Sequence, residues 1–117
     1  MTMALSEHER RRFEKPVKAF VDSRRPPPHI RTELDIGYRI DRQSIEIFEL
    51  RPAYDSPEET IEHAIAKATY VKSKDIWKIY WMRADLRWHL YEPMALVRTV
   101  EEFIAVIDRD QHGCFFG

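Results

Sequence analysis

At 117 residues, with 44% hydrophobic and 12% aromatic content, the chain is long enough for one domain around a single core without staples. Its one cysteine, Cys114, excludes an internal disulfide and a cysteine-based zinc site within one chain. A net charge of −1 argues against a bulk nucleic-acid binder, and three glycines in all leave little room for a phosphate-cradling loop.

The opening MTMALSEHERRR holds no apolar run of signal-peptide length, and no later segment approaches a membrane span. A soluble, reducing, cytoplasmic setting without a membrane partner is therefore expected. Charge is unevenly spread: residues 1–31 carry +4, 32–66 carry −6, 67–91 carry +4 and the remainder −3. Such blocks either complement one another across a fold or mark a dipolar surface that selects partners.

In chain order, a helix is expected from Ser6, which forms a capping box with Glu9 and places Phe13, Val17, Phe20 and Val21 on one face. Pro16 interrupts this pattern and should kink the helix or leave one carbonyl unpaired. Pro26-Pro27-Pro28 ends it and leads stiffly into a sheet. Glu33–Ile40 and Ser44–Arg51 read as a hairpin around a three-residue loop, Asp41-Arg42-Gln43. That register sets Leu34 opposite Leu50, Ile36 opposite Phe48 and Tyr38 opposite Glu46, with Leu34, Ile36, Tyr38, Ile40, Phe48 and Leu50 as the core face. Ser56-Pro57-Glu58-Glu59 has helix-start chemistry and predicts a short helix over Glu58 to about His63.

The segment from Lys67 to Tyr91 contains all three tryptophans together with Tyr70, Tyr80 and Tyr91. Its period-two alternation reads as three antiparallel strands. Pairing Lys72 with Asp75 sets Tyr70 opposite Trp77, Ala68 opposite Ile79 and Ala66 opposite Trp81. Pairing Met82 with Arg87 sets Trp81 opposite Trp88 and Ile79 opposite Leu90. Small alanines opposite large rings make a core layer that packs without voids. The other face collects Lys67, Thr69, Val71, Lys78, Tyr80, Met82, Arg87, His89 and Tyr91. Pro93 ends the fifth strand. Thr99 and Glu102 form a second capping box, with Val100, Phe103, Ile104 and Ile107 as a helical stripe, and the apolar tail Cys114-Phe115-Phe116 is expected to dock on the body.

These elements predict an α+β single domain over 1–117: a five-stranded, mostly antiparallel meander with N- and C-terminal helices packed on one face. The opposite face is left to solvent, to a ligand or to a second subunit. Positive charge mixed with rings suits single-stranded nucleic acid or an anionic ligand, where cations hold phosphate and rings stack. Lys67, Lys78, Tyr80, Arg87, His89 and Tyr91 are the candidate binding residues of a non-enzymatic module. The same composition also suits the aromatic interface of a homodimer, and a solvated sheet face carries tyrosine and lysine in any case.

Catalytic signatures are sparse. The three-residue hairpin loop sets Asp35 opposite Glu49, and Asp35 with Glu49-Leu50-Arg51 faintly resembles the Asp…Glu-x-Lys metal site of restriction-type nucleases. Arginine in place of lysine departs from that pattern. A metal-dependent hydrolase built on Asp35, Glu46 and Glu49 is the third reading, beside an incidental exposed acidic pair. The five histidines form no HxH or HExxH arrangement. His89 is expected beside Tyr80 and near Arg87, and Cys114 reads as buried filler. No cofactor is expected.

The run AKATYVKSKDIWKIYWMRADLRWHLYEP, with ALSEHERRRFEK, DIGYRI, IEIFELRP and the closing CFFG, resembles a family of small bacterial proteins, domain-of-unknown-function family 3024. The likeness covers nearly the entire chain. It implies a short, stand-alone bacterial protein and supplies no activity and no site residues.

Overall fold

The computed structural model describes residues 4–117. Helix α1 spans Glu7–Arg24 and opens on the expected capping box, in which Ser6 accepts from the Glu9 amide and the Glu9 carboxylate accepts from the Ser6 amide. The strands are β1 (Asp35–Asp41), β2 (Ser44–Pro52), β3 (Thr60–Val71), β4 (Ile76–Met82) and β5 (Trp88–Leu90), followed by a 3-10 turn (Glu92–Met94), β6 (Leu96–Val97) and α2 (Val100–Arg109). β1 to β5 form an antiparallel meander in sequence order, and the short β6 pairs with β4 beyond β5. At α2 the Thr99 hydroxyl accepts from the Glu102 amide, while the Glu102 carboxylate reaches the Arg98 amide in place of closing the box.

Both helices lie on one face. Phe13, Val17, Phe20 and Val21 of α1 and Val100, Phe103 and Ile107 of α2 join Ile36, Ile40, Ile45, Ile47, Ala66, Ala68, Tyr70, Trp77 and Ile79 in one core. At its centre the Trp77 ring lies 4.9 Å from Tyr70 and meets Phe13 edge-on at 4.9 Å. The β3–β4 pairs Ala66–Trp81, Ala68–Ile79 and Tyr70–Trp77 are those expected from the alternation of small and large residues.

Three local expectations are corrected. The first hairpin turns on two residues, Arg42-Gln43, with Arg42 at φ 57°. This moves the register by one, so Ile36 faces Glu49, Tyr38 faces Ile47 and Ile40 faces Ile45, and Phe48 and Leu50 leave the core face. The β4–β5 register also moves by one, with Trp81 opposite His89 and Met82 opposite Trp88. Here Leu86 takes φ 62° after a turn closed by its amide donating to the Arg83 carbonyl, and the Arg83 amide donates to the Arg87 carbonyl. The third concerns the expected helix near Glu58: Ser56–Glu59 makes one turn only, and β3 is already extended from Thr60. Pairing with β2 along Pro52–Glu49 overrides the local helix-start chemistry, and a bulge at Ile65 lets Phe48 pair with Ala64 while Ile47 pairs with Ala66.

Leu86 is 81% exposed and holds a left-handed conformation that a β-carbon disfavours. Leu86→Gly is expected to raise stability by about 1 kcal/mol, read as a higher urea midpoint at unchanged slope. An unchanged or lower midpoint would show that the Leu86 side chain has a packing role.

Candidate interaction face

The face away from the helices is crossed by rows that the register fixes. One runs Asp41, Ser44, Thr69, Lys78, Leu96, and the next Arg39, Glu46, Lys67, Tyr80, Leu90. A third contains Gly37, Phe48 and Ala64 towards one edge and Met82 with Trp88 towards the other. Lys67 is central. Its ammonium lies 5.0 Å from the centre of the Tyr80 ring and 5.1 Å from that of Trp88, close enough for cation–π attraction to both. The Arg39 guanidinium lies over Phe48 at 4.6 Å and pairs with Glu62 and, at 3.6 Å, Glu46. A β-carbon at Gly37 would sit 2.8 Å from Phe48 Cε2, so the missing side chain makes room for that ring across β1. Ser44 and Thr69 hydroxyls meet at 2.9 Å.

Of the six residues expected to bind, Lys67, Lys78 and Tyr80 share this face. Arg87 stands exposed at the hairpin, outside the ladder. His89 and Tyr91 are corrected to the other side by the one-residue change in register. His89 faces Trp81 rather than Tyr80, and its Nε2 lies 2.8 Å from Asp85 Oδ2. That contact holds the Asp85 carboxyl below its usual range. Tyr91 is 2% exposed and packs on Phe115 with ring centres 4.8 Å apart. Burial, then the negative charges of Cys114 and Asp110 themselves, raise its phenol pKa.

Trp88, Phe48, Leu90 and Leu96 take their place on the open face, and sequence reasoning had missed them there. The signal that could have found Trp88 and Leu90 is the turn length, but neither turn contains the glycine or asparagine that advertises a left-handed residue.

The carboxylates considered for a metal are not gathered. Asp35 lies opposite Leu50 and accepts from Arg25 Nε at 3.0 Å and Nη2 at 2.7 Å. That fork, with the Ile36 amide, depresses its pKa against the opposing effect of burial. Glu46 is turned to Arg39 and Glu49 to Arg51 at 3.5 Å. Among the described residues no group of three or more His, Cys, Asp or Glu side chains is placed to hold a metal ion. The thiol of Cys114 is pushed up in pKa by burial and by Asp110, which disfavours the thiolate. No helix is long and apolar enough to cross a membrane among the described residues.

One family model matches, over residues 5–117, and its description is a domain of unknown function, DUF3024. No curated protein and no solved structure matches the chain.

Proposed function

For this chain, which belongs to the DUF3024 family, we propose an interaction module whose open sheet face docks on the same face of a second copy. The observation that carries the reading is the makeup of that face. Phe48, Tyr80, Met82, Trp88, Leu90 and Leu96 share the uncovered side of the sheet, with Leu90 43% and Leu96 50% exposed. Aromatic residues, methionine and arginine are the types enriched at interface cores.

Charge selects the partner. The β1–β2 side and the adjoining start of β3 carry one arginine, Arg39, against Asp41, Glu46 and Glu62, whereas the β3–β4 side carries Lys67 and Lys78. A two-fold axis lying between the two sheets and parallel to their strands sets the acidic side of one copy over the basic side of the other, which makes the face self-complementary. A polyanion would meet both signs and would find Lys67 already engaged by two rings. A reducing, cytoplasmic setting fits the single free thiol.

Sedimentation velocity across a concentration series tests the reading. The wild-type mass is expected to rise from one chain to two. Trp88→Ala with Tyr80→Ala should weaken association by at least 30-fold, the equivalent of about 2 kcal/mol at an interface hot spot. A monomer at every concentration would overturn it. So would single-stranded RNA or DNA that binds in a salt-sensitive way and competes with the dimer, since the face would then belong to a nucleic acid.

A further inference from the structure

A separate groove of about 670 Å³ opens on the helix side of the sheet. We propose that it binds a small molecule bearing a phosphate or diphosphate group. Its floor is apolar, from Phe13, Trp77 and Val100, and three cations stand around it: Arg12 from α1, Lys74 from the β3–β4 turn and Arg98 from the segment before α2. Three segments far apart in the chain therefore bring positive charge to one concavity. None of the three cations is ion-paired among the described residues; Arg12 lies over the Phe13 ring at 5.3 Å, which leaves its N–H groups free to donate.

Two carboxylates also line the groove. Asp75 accepts from the Tyr70 hydroxyl at 2.7 Å, so part of its capacity is spent inward. Glu101 is exposed on the first turn of α2. The groove thus keeps an excess of one positive charge, and the arginine forks match phosphate geometry. The start of α2 is not what carries the site, because Thr99 already takes the Glu102 amide. The volume falls in the range of small-molecule sites, about 300–1,000 Å³, and is more than an isolated ion requires.

Inorganic phosphate and pyrophosphate are the probes, titrated calorimetrically into the full chain at low salt, with sodium chloride matched for ionic strength. Saturable binding is expected, tighter for pyrophosphate, and Arg98→Ala and Arg12→Ala should each weaken it about 10-fold or more. Both side chains are exposed, so circular dichroism should show the variants folded. Lys78→Ala, a cation on the opposite face, should bind as wild type. Equal responses in all three variants, or heats reproduced by sodium chloride, would overturn the proposal. It is independent of self-association, which those two arginine variants should leave intact.

Discussion

Trp77→Ala is expected to destabilise the fold by about 3–5 kcal/mol, a large part of the roughly 5–15 kcal/mol that holds a typical domain together. The indole is 1% exposed and sits where three elements meet: β3 through Tyr70, α1 through Phe13 and β6 through its partner Val97. Removing it opens a cavity whose walls belong to different elements and cannot close together. It also forfeits two aromatic contacts, each worth about 0.5–1.5 kcal/mol beyond the area they bury. Urea unfolding followed by far-ultraviolet circular dichroism checks the loss. Trp77→Phe should recover part of the midpoint. A Trp77→Ala loss below about 1 kcal/mol would mean that α1 resettles over the gap.

Asp110→Ala is expected to cost about 2–4 kcal/mol and to free the last residues of the chain. Asp110 ends α2 in the left-handed conformation, at φ 44°. Its carboxylate accepts three backbone amides, Phe115 at 3.0 Å, Phe116 at 2.8 Å and Gly117 at 3.1 Å. Alanine loses all three bonds and strains the cap. The docked rings then lose their anchor: Phe115 against Tyr91, and Phe116 under the Arg24 guanidinium at 3.7 Å. Chymotrypsin should cut the variant near Phe115 well before the wild type, and the urea midpoint should fall. Asp110→Asn tolerates the left-handed backbone and keeps one acceptor oxygen, so it should lie between the two. Equal cleavage of all three proteins would show that ring packing alone holds the tail.

Much of this architecture is legible in the residues themselves. Ala66 and Ala68 announce large partners, and the β3–β4 register follows from them. Ser6 with Glu9 marks the start of α1, and the apolar spacing gives the buried side of both helices. What stayed hidden depends on single backbone angles. Arg42 and Leu86 turn left-handed where nothing in their side chains asks for it, and each shifts a strand by one residue. A one-residue change exchanges the faces, which is why Phe48 and Trp88 came out on the open side while Tyr91 and His89 went to the other. The segment after Ser56 failed for another reason: its local preference for a helix lost to the long pairing of β3 with β2. The groove proposed for phosphate draws on Arg12, Lys74 and Arg98, residues with no shared motif, and only the fold brings them together.

The way the sheet ends beside β4 bears on how readily another strand could be added to it. Strand β5 has three residues and β6 two, both lie along the same side of β4, and the proline-bearing 3-10 turn separates them. An incoming strand would need an unbroken row of free amides and carbonyls, and that border offers only two short pieces interrupted by the turn. At the other border β1 presents Asp35, Arg39 and Asp41 along a seven-residue strand, a charged rim that resists a hydrophobic newcomer. Strand addition is therefore disfavoured along β1 and along β5 and β6, whereas Thr60–Ala64 of β3, which have partners on β2 but none on β4, are the stretch of edge that stays open.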